Sequence, residues 1–398
     1  MNERGLYVHV PFCSGRCRYC GFYAEVGREG DLDRYIDAVV AELRQRTSAL
    51  GWEPLASVFI GGGTPSLLSP AHVERVLAEV RRSPGLREDA EVTLEANPGS
   101  SGIARLAGYR SSGVNRLSLG VQSFDAETLR WLGRRHTVED ALRACAAARD
   151  AGFGVVSLDL LAAVPGMPAC AWERTLATAL RLRPEHVSVY CLSVEPGTAL
   201  AAQVDSGAVA APDEEAQARA YELGCARLSA AGYEHYEISN FAVPGHRCRH
   251  NWACWRGQEY LGVGAAAHSS IGAVRSWNYR SLDRYLASIE QGRTAQAGQE
   301  QLSPAVRRQE RLWLELRTCD GAVLTAAEAQ ALETHPRLRS LMEAGVLRWR
   351  GGRLQVDGAG WLLADALAIE AMDLVEGRRA APGEGRRHDP APSGRHDP

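Results

Sequence analysis

The sequence predicts an α/β fold: a partial (β/α)6 barrel, open rather than closed, followed by a C-terminal helical, winged-helix-like domain. Three observations predict it. Between Gly5 and Leu192, short apolar runs alternate with helix-periodic stretches about six times, the pattern of a parallel sheet with right-handed crossovers. Polar groups collect at or just past the ends of those apolar runs, namely Cys13, Cys17, Cys20, Thr64, Glu95, Gln122, Asp159 and Ser193; this is the rim on which α/β barrels build their sites. Beyond residue 300 the pattern changes to helices followed by a small hairpin. A doubly wound open sheet is the alternative for the first part.

The elements follow in order. Gly5 to Val10 is an apolar strand that runs into the cysteines. Asp31 to Leu50 repeats Leu32, Tyr35, Ile36, Val39, Val40 and Leu43 at helical spacing. Leu55 to Ile60 is a buried strand ending in Gly61-Gly62-Gly63-Thr64-Pro65. Pro70 to Arg82 is a helix with Ser69 as N-cap and proline at its first position. Ala90 to Glu95 is a strand and Ile103 to Arg110 a short helix. Arg116 to Leu119 is the next strand, and Thr137 to Ala151 a helix closed by Gly152. Val155 to Leu161, helix Ala171 to Leu182 and strand His186 to Leu192 complete the alternation. Asp213 to Ala231 reads as a helix that acts as a lid or bridge. These pieces place a barrel in residues 1–240.

Residues 241–300 read as a connector, helical from Arg280 onward. Tyr233 to His268 is dense in His235, His246, His250, His268, Cys248, Cys254, Trp252 and Trp255. Residues 301–377 carry helices over Val306–Leu316, Thr325–Glu333 and Arg337–Ala344, then a hairpin around Gly351-Gly352. From 378 to 398 the chain is rich in Gly, Pro and Arg and reads as a disordered tail.

Composition excludes several classes. The chain has 398 residues, 45% of them hydrophobic, and a formal net charge of −3. That gives no broad basic footprint for nucleic acid, and no apolar run long enough to span a bilayer. Met1 to Gly5 has no apolar core of a secretory signal. Ten cysteines without an export signal point to a reducing, cytoplasmic setting. Cys145, Cys170, Cys191, Cys225 and Cys319 read as small core residues. The sequence contains no lysine, so the triple glycine is not an ordinary phosphate loop and no Schiff base forms.

Cys13, Cys17 and Cys20 are spaced C-x3-C-x2-C. A cubane iron–sulfur cluster normally takes four thiolates, so three leave one iron open to a small ligand. A structural zinc site is the competing reading. An open iron can hold an amino-carboxylate group, so the rim needs partners for a zwitterion. Gly61 to Gly63 let backbone approach a ligand; Glu95 or Asp159 accepts from an ammonium or ribose hydroxyls; Arg134 pairs with a carboxylate; Gln122 donates and accepts.

These blocks, with Leu94-Glu95-Ala96-Asn97-Pro98 and Gly120-Val121-Gln122-Ser123-Phe124, resemble the radical S-adenosylmethionine superfamily from Leu6 to about Leu374. More narrowly they resemble the branch of oxygen-independent coproporphyrinogen III oxidases and the heme chaperones called HemW. The resemblance implies a [4Fe-4S] cluster on Cys13, Cys17 and Cys20, with S-adenosylmethionine on its fourth iron. It implies cofactor contacts from Tyr7, Gly62, Gly63, Thr64, Glu95, Gln122, Arg134 and Asp159, with Tyr19 beside adenine. It also implies a radical-SAM, TIM-like barrel.

Two features place the chain with the chaperones. The oxidases carry a fourth cysteine where this chain has Phe22, and a longer segment before the first strand. Arg249-His250-Asn251-Trp252-Ala253-Cys254-Trp255 resembles the H-N-x-x-Y-W motif of the chaperones. A histidine is an ordinary heme ligand, so His250 is the expected heme contact; hydrogen bonding within a loop is its other reading. The sequence departs from the branch at Cys254, which stands for the motif's tyrosine and adds a thiolate candidate. It departs again at Leu161-Ala162-Ala163-Val164-Pro165-Gly166, which stands for a Tyr-Gly-Leu-Pro-Gly block after Asp159. The expected function is heme binding and transfer to an acceptor protein. Flavodoxin or ferredoxin is the expected electron donor. Membrane contact is expected only peripherally, through the acceptor. Coproporphyrinogen III oxidation and a HemN-like radical methyltransferase are the alternatives.

Overall fold

The computed structural model describes residues 3–100 and 102–375; the expected tail, 378–398, lies outside them. Strand β1 (Gly5–Val10) leads into a small loop closed by the two-residue strands β2 (Phe12–Cys13) and β3 (Glu25–Val26). Then come α1 (Leu32–Leu50), β4 (Leu55–Gly62), α2 (Pro70–Arg82), β5 (Leu86–Ala96), α3 (Ile103–Ser111), β6 (Arg116–Gln122), α4 (Ala126–Leu132), α5 (Val138–Asp150), β7 (Val155–Ala162), α6 (Ala169–Arg181) and β8 (His186–Cys191). Strands β1, β4, β5, β6, β7 and β8 pair in that order, all parallel. This is the expected partial barrel. The helices lie side by side along one face of the sheet, whereas a doubly wound sheet would carry them on both.

Strand parity explains the two faces. In β1, Leu6, Val8 and Val10 are fully buried in the main hydrophobic core with Ile36, Val39 and Leu43 of α1. Tyr7 and His9 point the other way, into the barrel. In β4 the same alternation puts Val58 and Ile60 outside and Ser57, Phe59 and Gly61 inside. Each buried aliphatic side chain contributes roughly 1.5–3 kcal/mol, so a one-residue slip, which would turn the apolar set inward, is strongly disfavoured. Ser69 and Thr137 cap α2 and α5 with complete capping boxes, each worth about 1 kcal/mol.

After β8 the chain continues through α7 (Ala199–Asp205), α8 (Glu214–Ala230), β9 (Glu234–Glu237), β10 (Asn240–Ala242), α9 (Arg249–Trp255), β11 (Tyr260–Val263), β12 (His268–Ile271), β13 (Val274–Asn278), α10 (Leu282–Glu290) and β14 (Gln296–Gln301). The helix expected as a lid or bridge is α8, and it packs outside the barrel on α6 and β8. The Trp172 indole donates to the Ala220 carbonyl at 2.8 Å there.

Residues 241–300 differ from the connector expected. β11 pairs in parallel with the free side of β1, and β12, β13 and β14 add on antiparallel. Together with β10 and β9 beside β8, they extend the sheet to twelve strands. The stretch from Arg280 is helical only as far as Glu290. The sequence reading also missed α4 and α7, each only seven residues long.

The last segment holds α11 (Pro304–Glu315), β15 (Ala322–Val323), α12 (Ala326–Thr334), α13 (Pro336–Glu343), β16 (Leu347–Arg350), β17 (Arg353–Val356) and α14 (Ala364–Val375). Its three-stranded sheet and helices enclose a separate core of Leu312, Leu332, Leu338, Leu354 and Leu367. Two aromatic clasps tie it to the rest of the chain: His235 lies between Phe241 and Trp361, with centroids 4.2 and 4.3 Å away, and the Arg317 guanidinium lies 5.9 Å over the Trp255 ring of α9. Of the cysteines expected in the core, only Cys145 is buried. Cys170 is exposed on α6, and Cys225 on α8, Cys191 at the end of β8 and Cys319 in a turn after α11 are half-buried.

Candidate functional site

The C-terminal ends of the strands gather most of the expected residues. Cys13 ends β2 and shares a 3.4 Å hydrogen bond with the Thr64 hydroxyl. Cys17 accepts from Arg134 Nη1 at 3.5 Å, while Arg134 Nη2 donates to the Gly120 carbonyl at 2.7 Å. Arg134 Nε is buried without a partner. Burial pushes the Cys13 and Cys20 thiols up, against the pull of Arg16, so a metal must displace their protons to bind. Among the described residues, no three His, Cys, Asp or Glu side chains converge on one point as a single ion requires. Three thiolates leave one iron of a cubane open, whereas a structural zinc site takes four protein ligands.

The glycines form a cradle beside the cysteines. A Cβ on Gly63 would come 3.1 Å from Cys13 Sγ and 2.7 Å from the Phe12 carbonyl. Gly62 has φ +118, and its missing side chain would meet the His9 ring at 2.7 Å. Its N–H donates to Glu95 Oε2 at 3.1 Å. Burial, reinforced by the charge of Asp159, pushes the Glu95 carboxyl up to about 8. Burial also raises Asp159, which accepts from the Ser118 hydroxyl at 3.1 and 3.2 Å. Two carboxyls held above their ordinary range, beside a cationic guanidinium with an idle N–H, form a site organised for a zwitterion.

Two further residues are placed by local backbone. A bulge in β6 between Leu119 and Gln122 leaves Gln122 with φ +64, in the left-handed region; such a bulge re-aims a side chain at a sheet end. Tyr19 packs against the apolar cluster of Leu132, Leu161 and Leu200, and burial raises its phenol. Tyr7 lies on the inner face of β1, its hydroxyl 3.0 Å from His9 Nδ1. His9 was missed by the sequence reading. Its other nitrogen is 3.3 Å from the Tyr23 carbonyl, and burial lowers it to about 4. Inward parity with Tyr7 is the signal that would have found it.

His250 is not with them. Helix α9 crosses the N-terminal end of the barrel and plugs its floor. Glu91 on β5 accepts from the Arg249 and His250 N–H groups at 3.1 and 3.2 Å. The His250 ring meets Ser57 Oγ at 3.1 Å and packs 5.3 Å from Phe59. It is 5% exposed, and burial lowers it to about 4. The ring expected as the heme contact is thus enclosed in the floor and hydrogen-bonded there. Burial also raises the Cys254 thiol, to about 12. Ala163, in place of the family's glycine, has φ +54, so the substitution kept the left-handed turn at a steric cost.

Comparison with known proteins agrees with this geometry. The Radical SAM superfamily profile matches residues 7–179. The heme chaperone HemW of Mycobacterium tuberculosis (strain H37Rv) is 40% identical over 367 residues, covering 91% of this chain and 93% of that one. The mitochondrial radical S-adenosyl methionine domain-containing protein 1 of Bos taurus is 46% identical over 267 residues, covering 67% and 60%. The structure of coproporphyrinogen III oxidase (HemN) from Escherichia coli, a radical SAM enzyme, matches with a TM-score of 0.80 at 24% identity, over 94% of this chain and 90% of that one. At that identity it shares the fold. No described helix is long and apolar enough to cross a membrane.

Proposed function

The chain belongs to the heme chaperone HemW family of the radical SAM superfamily, and on that footing we propose that it binds heme and passes it to an acceptor protein. The observation that carries this reading is the 40% identity held over more than nine tenths of both chains. The rim supports the cofactor half of it. Cys13, Cys17 and Cys20 would hold a [4Fe-4S] cluster, whose chemistry when loaded is one-electron transfer to S-adenosylmethionine. Gly62 and Gly63 would seat the cofactor's backbone-like end. Arg134 would take its carboxylate. Glu95 and Asp159 would accept from its ammonium and hydroxyls, and Tyr19 would close the apolar side.

Phe22 favours the chaperone over the oxidase. It stands where the oxidases carry a fourth cysteine, and at 69% exposed it leaves the cluster loop with an apolar, unreactive tip. The acceptor is a protein that takes heme. The donor is a low-potential electron carrier of the flavodoxin or ferredoxin class. The free cysteines fit a reducing cytoplasm.

The test is heme delivery. The anaerobically reconstituted protein, loaded with hemin, is mixed with a heme-free acceptor, and transfer is followed by the acceptor's own spectrum. Delivery is expected, with no conversion of coproporphyrinogen III under dithionite and S-adenosylmethionine. Decarboxylated product without delivery would put the oxidase first.

A further inference from the structure

A heme carrier needs a ligand that a macrocycle can reach, and the floor histidine is enclosed. Nine histidines lie among the described residues. Eight of them, His250 included, are held by a hydrogen bond or an ion pair. His268 is exposed, and its ring makes neither among the described residues.

Register places His268 on the inner wall. Tyr7 of β1 lies opposite Gly262 of β11, Tyr260 opposite Ser270 of β12, and His268 opposite Trp277 of β13. Opposed residues share a face, so the row that begins at Tyr7, inside the barrel, continues through His268 to Trp277. β11 runs parallel to β1 and β12 returns antiparallel from its C-terminal end, beginning at His268, which puts His268 at the cofactor end of the barrel, away from α9. The Trp277 ring is 6.1 Å from it, tilted by 31°. That indole lies over Gly298 of β14, where a Cβ would come within 2.6 Å, so a glycine makes the room that the tryptophan fills. Burial and the nearby Arg275 guanidinium lower His268, leaving a lone pair free at neutral pH.

We propose that heme cargo docks on the inner face of β11–β13, with His268 as the ligand to its iron and the edge of Trp277 against the porphyrin face. This rests on the heme-chaperone reading and assigns its site. An axial imidazole stands perpendicular to the porphyrin. An indole tilted only 31° from that imidazole meets the macrocycle edge to face, a favoured aromatic geometry. The sheet ends at β14 on one side and β9 on the other, and Arg275, two residues from Trp277 on the same face of β13, pairs with Glu310 of α11 at 2.8 Å.

The experiment is hemin titration of the full, anaerobically reconstituted chain. Difference absorption and the paramagnetic resonance of ferric heme are read together, because the oxidised cluster is diamagnetic. Wild-type protein is expected to bind one hemin with an imidazole signature. His268→Ala should lose that signature and at least tenfold in affinity, and His268→Cys should replace it with a thiolate signature. His250→Ala should keep the wild-type spectrum. Iron content and circular dichroism check that each variant is folded and loaded. An unchanged spectrum and affinity in His268→Ala overturns the site while the chaperone reading stands. Absence of binding by wild-type protein overturns both.

Discussion

The two ends of the barrel are built from the same kinds of side chain and do opposite work. At the floor, Arg116 lies 3.7 Å from Glu91 as an ion pair with its Nε unbonded, His186 and Tyr236 are hydrogen-bonded to each other, and His250 is bonded to Ser57. Glu91 holds the start of α9, and His186 bridges Ser157 and Tyr236 at 2.8 Å on each side. At the rim, Glu95, Asp159 and Arg134 are as enclosed, Arg134 too keeps an idle N–H, and both carboxyls sit above their ordinary range. What separates the two ends is what surrounds the buried polar groups: at the floor they are tied to one another across α9, whereas at the rim a guanidinium and two raised carboxyls gather beside the cysteines. Residue type and burial alone would have ranked His250 and Arg134 together.

The largest expected effect is at the rim. Cys17→Ser should remove the cluster, taking iron from about four per chain to near zero with the brown colour; retained iron and colour would place the cluster elsewhere. Next, Gly62→Val should keep the iron and weaken S-adenosylmethionine binding by about a hundredfold, roughly 3 kcal/mol by titration calorimetry. At the floor the balance reverses. His250→Ala should lower unfolding stability by about 2–4 kcal/mol, through a cavity and an unpaired Ser57, with cofactor affinity unchanged. A loss of affinity without loss of stability would erase the contrast between the two ends.

Much of the rim was legible because its parts are local. The cysteine spacing, the glycine run and Glu95 each sit in a short motif, and the strand that precedes each motif is apolar enough to read. The floor was not legible. His250 meets Ser57, 193 residues earlier, and no local pattern announces such a pairing. The same limit hid β11 to β14, where four short strands with polar alternating positions read as connector. It also hid His268, whose meaning comes only from the register that places it beside Trp277.

Smaller effects follow from single groups at the rim. Glu95 loses its proton near pH 8 in the folded chain and near the ordinary carboxylate value when unfolded. Folding therefore retains a proton between those values, and stability of the cofactor-free protein declines as pH rises through that window. An N–H or O–H donor of the bound cofactor placed against Glu95 favours the ionised form, so cofactor affinity should rise by up to about tenfold between pH 7 and 8. Glu95→Gln should flatten both profiles; equal slopes in the variant would assign them to another group. The smallest change is Ala163→Gly, which relieves a left-handed alanine and should raise stability by less than about 1 kcal/mol in denaturant titration.

The position of β1 between β4 and β11 has a consequence for how the protein is made. The strand that delivers the cysteine loop leaves the ribosome shortly before β4. Its other neighbour, β11, begins only at Tyr260. At 5–20 residues per second, that partner arrives on the order of 10–40 s later. Through that interval the nascent chain presents an unguarded sheet edge next to three free thiols, which makes cluster insertion and completion of the sheet competing events in biogenesis.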